Sequence, residues 1–466
     1  MKNLSIKSVD DNPRILKHYS PIDGNLLYEF PISGENEVDF AMNSAKNALL
    51  KWRSIDMIQK SEILYRVADL LFERINELSE LVRLETGKSE SDAKSELEAA
   101  INFCRMIASY GRRAVGEILP SAISNRLVLN RRVEFGIAGL IVSYNTPLPN
   151  YAWKVFPALM GGNVVILKPS EYTSLSANLF SNILMEAGLP KDVLQVIIGD
   201  KSTAEIIAKA EIDLLSFTGS LEAGNNLSQI NKRFFRKEIF ELGGSNPIIV
   251  HRDANIGEAA FATINSAFSN SGQRCAAGSI VYVHKDISDS FKEILKKSAL
   301  AYLDNHDIGC LITEKSVAKY HKYLEDCRSN DANVIEFKNP KQYYLAVNPS
   351  IVFELNSHSD LSSIELFAPC IRYFEFEDID SCLYEVNRNT YALTAAIWSN
   401  DISLCHKLAN SLHIGLVNIN GPTFGSEPQF PFGGFRFSGN GMKDAGDSAI
   451  LEYTSTKIVS TFDFGK

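Results

Sequence analysis

The chain has 466 residues, 45% of them hydrophobic and 22% charged, with a formal net charge of −9. That length exceeds one ordinary core and predicts two or three domains of soluble globular type. The acidic balance argues against nucleic acid or an anionic membrane as the main partner, since both need clustered Lys and Arg; no apolar run reaches the ~18 residues of a membrane span.

Met1–Asp11 is polar, carries Asp10 and Asp11, and lacks an apolar core segment, so no secretory leader is expected. From Glu37 to about Gly116 the pattern is helical. One helix opens at Glu37 and runs through Ala41, Ala45 and Leu49 to Trp52; a second, Ile58–Arg74, repeats Ile63, Val67, Leu70 and Leu71 at helical spacing. Further helices are expected over Leu78–Thr86 and Lys94–Tyr110. Ser124–Glu134 then alternates apolar and polar residues and reads as a strand.

Beyond it strands and helices take turns. Strands over Leu140–Ser143, Val164–Lys168, Leu194–Ile198 and Leu214–Phe217 precede helices over Trp153–Met160, Leu175–Ala187, Thr203–Lys209 and Leu221–Ile230. Near-continuous apolar strands in this rhythm predict a parallel sheet covered on both faces, with ligands outside the carboxyl ends of the strands. Asn145, Lys168-Pro169-Ser170-Glu171, Phe217-Thr218-Gly219-Ser220 and Glu241-Leu242-Gly243-Gly244 fall at such ends. A second strand–helix stretch runs from Pro247 to about Val417, with a helix over Ile256–Phe268. Leu451–Ser460 alternates again and is expected to pair with Leu127–Val133 in a small projecting sheet, whose edge invites a partner subunit.

The seven cysteines are scattered, which predicts reduced thiols and a cytoplasmic setting. No Cys/His group has zinc spacing, so no metal is expected. Cys275 stands apart from the other six. It lies in Asn270-Ser271-Gly272-Gln273-Arg274-Cys275-Ala276-Ala277-Gly278-Ser279, directly after Arg274, with the acid Glu241 upstream. A thiol, an acid and Gly-rich turns suit covalent catalysis through sulfur. The same parts also suit a buried cysteine beside a solvated glutamate.

Six short stretches in order decide between these readings: Ser143-Tyr144-Asn145-Thr146-Pro147-Leu148, Lys168-Pro169-Ser170-Glu171, Phe217-Thr218-Gly219-Ser220, Glu241-Leu242-Gly243-Gly244, Gly272-Gln273-Arg274-Cys275, and Pro431-Phe432-Gly433-Gly434-Phe435-Arg436-Phe437-Ser438-Gly439. Together they resemble the aldehyde dehydrogenase superfamily, from Ser20-Pro21-Ile22-Asp23-Gly24 to Tyr453-Thr454-Ser455-Thr456-Lys457. The resemblance implies an α/β fold. A Rossmann-type NAD-binding domain would take residues 1–117 and 136–243, a catalytic domain 244–440, and oligomerisation strands 118–135 and 441–466. It also implies a homodimer or homotetramer.

By the same resemblance Cys275 is the nucleophile. Nearby Arg274 or a bound cationic nicotinamide would favour its thiolate. Asn145 holds the oxyanion and Glu241 is the general base for thioester hydrolysis. Lys168, Ser170 and Glu171 bind the adenine ribose; the Glu171 carboxylate favours NAD, with NADP as the alternative. Gly219 and Ser220 receive the pyrophosphate at a helix N-terminus. Gly243, Glu365 and Phe367 lie on the nicotinamide side, where Ala368 stands in place of the family's usual Gly and the stretch Ala301–Thr313 is shorter than usual. The expected reaction is NAD(P)-dependent oxidation of an aldehyde to the acid. The rivals are a CoA-acylating dehydrogenase and a non-catalytic structural homologue. Thr146 follows Asn145 where relatives acting on apolar aldehydes carry an aromatic residue, while Ile419–Pro431 resembles the loop of aromatic-aldehyde dehydrogenases. Phe424, Phe430 and Trp153 are pocket candidates, with core packing the first expectation for Trp153, and no dedicated Arg for a substrate carboxylate stands out.

Overall fold

The computed structural model describes residues 14–113 and 116–462. The polar stretch Met1–Asp11 therefore lies outside the described residues, as do the last four residues of the expected C-terminal oligomerisation segment.

Two sheets organise the molecule. The first has five parallel strands in the spatial order Leu194–Val196, Val164–Lys168, Ile137–Ile141, Leu214–Thr218, Lys237–Glu241. Its inner strands Ile137–Ile141 and Val164–Lys168 are buried at every position, which is why they read as continuous apolar runs. The second has seven strands, in the order Asn333–Glu336, Ser350–Phe353, Cys370–Phe376, Gly278–His284, Asn246–Val250, Thr394–Trp398, Leu416–Ile419; only the edge strand Asn333–Glu336 is antiparallel.

The helical apron is present as four helices, Glu35–Trp52, Met57–Glu73, Ile75–Thr86 and Glu90–Ala108. Glu90–Ala108 shows how the sequence sets a helix. Ser89 caps it by accepting the Asp92 N–H at 3.0 Å, Glu90 and Asp92 place acid in its first turn, and Ala93, Leu97, Ala100, Ile101, Cys104 and Ala108 form its buried stripe.

The expected pairing of the C-terminal strand is present. Thr454–Phe462 runs antiparallel to Arg126–Glu134, from Thr454 opposite Glu134 to Phe462 opposite Arg126. Residues before Thr454 depart from expectation, because Ala449–Glu452 forms a helical turn. Gly116–Leu119 adds a third strand that the sequence reading left out. It also left out the hairpin Ile15–Tyr19 with Leu26–Pro31, although Asp23-Gly24 is a turn signal and Gly24 has φ 74°. The helix expected from Trp153 starts at Pro147. Pro147 and Pro149 look like breakers in the sequence, yet in a first turn their missing N–H groups have no intrahelical partner to lose.

Candidate active site

A cavity of about 760 Å³ opens where the two sheets meet, beyond the carboxyl ends of strands Leu214–Thr218 and Lys237–Glu241. Asn145, Gly219, Ser220, Glu241, Gly243, Cys275, Glu365 and Phe367 all line it. Lys168, Ser170 and Glu171 do not. They lie at and just after the carboxyl end of strand Val164–Lys168, which Ile137–Ile141 separates from Leu214–Thr218, and Tyr144 connects the two regions through ring contacts with Tyr172 and Phe367. Phe430 is 41% exposed and lies outside the cavity lining. Trp153, a candidate for core packing and for the pocket, lines the cavity and packs on Phe432 at 5.3 Å between rings.

Cys275 is carried by a loop in which Asn270, Ser271 and Gly272 all have positive φ, at 51°, 51° and 68°. Two non-glycine residues there store strain, and the surroundings hold it. Gln273 donates to the Cys310 carbonyl at 2.9 Å and accepts from the Ile312 N–H at 3.1 Å; Ser271 donates to the Ile308 carbonyl at 3.0 Å. Asn246 fastens the other side by donating to the Cys275 carbonyl at 2.7 Å.

Of the two aids expected for the thiolate, Arg274 does not point its charge at the thiol. That guanidinium turns to Asp92, with Nη2 donating to Oδ1 at 2.7 Å, and lies over the Phe424 ring at 4.8 Å. Burial, followed by the charges of Glu241 and Glu365, pushes the Cys275 thiol up to about 12; the backbone N–H groups of Ala276 and Cys275 oppose this. In the free protein the thiolate fraction then climbs about tenfold per pH unit at neutral and mildly alkaline pH. Inactivation of the free protein by iodoacetamide is expected to follow that slope of one between about pH 6 and 9. A plateau reached near neutrality would show a thiolate already formed, against the geometry described.

Asn145 is 6% exposed. Its Oδ1 accepts from Asn150 Nδ2 at 3.3 Å, so its Nδ2 is left without a partner among the described residues. Its backbone is clamped. Lys88 Nζ donates to the Asn145 carbonyl at 2.9 Å, Asn270 Nδ2 donates to the same oxygen at 3.3 Å, and Lys88 is itself in a buried ion pair with Glu96. Glu96 accepts the Leu148 N–H at 2.9 Å, tying the helix Glu90–Ala108 to the turn that carries Asn145.

Glu241 is 4% exposed, which excludes a surface strand-end residue. Neither carboxylate oxygen has a hydrogen-bond partner of standard geometry, although the Asp444 backbone N–H is near enough to favour the anion. Burial and then the Asp444 charge hold its carboxyl well above the usual range; Lys154 and Lys443 pull the other way. Lys154 and Asp444 form a fully buried ion pair at 2.6 Å, and Lys154 also donates to Ser216 at 2.8 Å. The sequence reading missed both residues. Lys154 stands in the helix begun by Pro147, Asp444 comes 203 positions after Glu241, and no local spacing links them to it.

On the cofactor side, Ser220 caps the helix Leu221–Asn231 by accepting the Ala223 N–H, and Gly219 comes just before it. Any Cβ at Gly243 would collide with the Glu365 carboxylate, whose Oε1 accepts the Gly244 N–H at 3.0 Å. Lys168 is 4% exposed, and its ammonium donates only to the Pro169 carbonyl, so a buried cation waits beside the Glu171 turn. A helix N-terminus, a side-chain-free approach and a buried cation beside an acid fit a nucleotide with a diphosphate. All seven cysteines are free thiols. Among the described residues there is no cluster able to hold a metal and no helix long and apolar enough to cross a membrane.

A dinucleotide-type sheet edge facing a strained thiol loop has the layout of a cofactor-dependent enzyme. Residues 8–459 match the model of the aldehyde dehydrogenase family, and the chain belongs to that family, whose members oxidise aldehydes with a nicotinamide dinucleotide. It is 32% identical to betaine aldehyde dehydrogenase of Bacillus subtilis over 443 residues, 91% of this chain and 90% of that protein. The NAD-dependent aldehyde dehydrogenase of Sinorhizobium meliloti superposes with a TM-score of 0.92 at 26% identity, covering 96% of this chain and 91% of that one. An NADP-dependent enzyme of E. coli superposes equally well, at 0.92 and 28% identity, covering 96% and 95%.

Proposed function

We propose that this protein oxidises an aldehyde to its carboxylic acid with NAD, through a thioester on Cys275 that water hydrolyses. The observation that carries this reading is the set of free atoms around one thiol: the unshared Nδ2 of Asn145 and both unshared oxygens of Glu241, on the wall that carries Cys275. The Cys275 thiol gives its proton to solvent water in the cavity, and the sulfur bonds to the aldehyde carbon. Asn145 Nδ2 and the Cys275 backbone N–H receive the developing oxyanion; such donors are worth about 3 kcal/mol each. The dinucleotide, when bound, supplies the acceptor for the hydride that leaves this adduct. Glu241 then takes a proton from water as the water oxygen attacks the thioester carbon, and the C–S bond breaks to release the acid and the thiol. A raised proton affinity makes the ionised Glu241 a stronger base than an ordinary carboxylate. Its presence favours water over CoA as the acyl acceptor, and the three assembled residues favour an enzyme over a non-catalytic homologue.

Lys168, Ser170 and Glu171 would take the adenine ribose, Gly219 and Ser220 the diphosphate, and Gly243, Glu365 and Phe367 the nicotinamide half. Glu171 decides the coenzyme in this reading, because a carboxylate accepts from a free 2′-hydroxyl and repels a 2′-phosphate. We expect kcat/KM for NAD to exceed that for NADP at least about tenfold, the ratio that ~1.4 kcal/mol produces. Steady-state assays with both coenzymes check it, and a preference for NADP overturns the assignment of Glu171.

Residues 1–117 with 136–243 would form the cofactor domain and 244–440 the catalytic domain, around the five- and seven-stranded sheets. The three-stranded sheet would carry the subunit contact. Its C-terminal strand is a sheet edge, and Ile118, Ile458 and Phe462 are 74%, 54% and 44% exposed on it. Light scattering should report a dimer or tetramer; a monomer at micromolar concentration would contradict this. Seven free thiols fit a reducing compartment such as the cytoplasm.

A further inference from the structure

The part of the cavity beyond the thiol is not a plain hydrocarbon slot. One wall is aromatic, with Trp153 against Phe432. Facing the cavity elsewhere is the Arg274–Asp92 ion pair, partly open to it, with side chains 22% and 18% exposed. Arg274 directly precedes Cys275, and its side chain and Asp92 line the same cavity as the thiol.

The pair is held in place from both ends. Asp92 Oδ1 accepts from Arg274 at 2.7 Å and Oδ2 accepts from Ser89 Oγ at 2.9 Å. The guanidinium lies over Phe424. Arg274 uses only Nη2 on Asp92, leaving Nε and Nη1 without partners among the described residues. Further out, Tyr302 donates to Asn265 Oδ1 at 2.9 Å, so the Asn265 amide N–H₂ is left to donate, and Ser91 and Ser95 add hydroxyls to the lining.

We propose that the Arg274–Asp92 pair reads hydroxyl groups, so that the substrate is an uncharged hydroxylated aldehyde, of the short aldose class. This rests on the aldehyde-oxidising reading of the same site. A hydroxyl is donor and acceptor at once, and here a carboxylate acceptor and unused guanidinium donors lie side by side. A substrate carboxylate would meet Asp92 on the very guanidinium it needs, and a cationic substrate would meet Arg274. A hydrocarbon chain would strip water from both charges and return no hydrogen bond, which is how polar sites reject analogues lacking a hydroxyl. The aromatic wall accepts the C–H face of a short polyol as well as an alkyl chain, so it does not discriminate between them. Discrimination falls to the ion pair.

The test uses the full-length protein with NAD and with NADP. It compares aldehydes matched in carbon number: glyceraldehyde against propanal, and erythrose against butanal, with succinic semialdehyde, betaine aldehyde and benzaldehyde as charged and aromatic arms. The expected result is a kcat/KM for the hydroxylated member about 100-fold above its alkyl partner; buried polar sites discriminate more strongly, and this pair is part-exposed. Asp92→Asn should cut that ratio at least tenfold and raise relative activity toward succinic semialdehyde. A ratio between two substrates does not move when a variant merely folds less well. Equal or better use of propanal, butanal or benzaldehyde overturns the proposal while leaving aldehyde oxidation through Cys275 intact. So does a preference for either charged aldehyde. Failure to oxidise every aldehyde, by a protein whose Cys275 still alkylates, overturns the aldehyde-oxidising reading and this inference with it.

Discussion

Replacing Cys275 by alanine is expected to remove aldehyde oxidation altogether, a loss on the order of 10⁶ in kcat when a covalent nucleophile is deleted. The loss should not come from unfolding. The thiol is partly exposed in a cavity and carries no hydrogen bond of its own; the loop is held instead by Gln273, Ser271 and Asn246. Stopped-flow recording of NADH with the variant should show neither burst nor steady phase, while its circular dichroism and melting temperature stay close to those of the parent. Retained turnover at the parent's rate would mean that another group attacks the aldehyde.

Glu241→Gln is expected to separate the two halves of the reaction. A burst of about one NADH per site should survive, because acylation of sulfur does not need the carboxylate as a water base. The steady rate should then fall by about 10²–10⁴, the usual worth of a general base. Rapid-quench detection of an acylated Cys275 would identify the stalled species. Normal steady turnover would assign the base elsewhere, and loss of the burst would place Glu241 in the acylation step.

The same substitution has a stability signature of definite sign. Glu241 holds its proton more tightly in the fold than an ordinary carboxyl with a value near 4.5, because of burial and Asp444. The unfolded chain therefore releases that proton first, and the fold loses stability as pH rises above the ordinary carboxylate value. Glutamine carries no such proton. Calorimetry at about pH 7.5, roughly three units above the ordinary carboxylate value, should find that Glu241→Gln melts no lower than the parent, although it cripples catalysis. A functional acid kept at some cost in stability explains why two unshared buried oxygens persist at this place.

The sequence was informative wherever chemistry is local. Strand–turn–helix punctuation marked Lys168, Ser220 and Glu241 at strand ends, and period-two alternation matched Leu127–Val133 to the C-terminal strand across more than 300 positions. Element ends were less legible. Pro147 and Pro149 resemble breakers until the helix they open is seen, and the Ala449–Glu452 turn takes the first two residues of the alternating run Leu451–Ser460. Arg274 shows the limit most clearly. As a neighbour in sequence it resembles an electrostatic aid to Cys275, yet its charge is spent on Asp92, 182 positions away, and faces the substrate cavity.

By itself, then, the amino-acid sequence determined the α/β fold class and the family, and it singled out the candidate thiol, amide and acid, because each rests on spacing within a few residues. Only the tertiary structure decided the environment of those groups. It buried Glu241 against Asp444 and Lys154, held the Cys275 thiol protonated, took Arg274 away from it and set Trp153 on the cavity wall. Proton affinities and pocket polarity depend on which charges and how much water lie within a few ångströms, and those neighbours come from segments far apart in the chain.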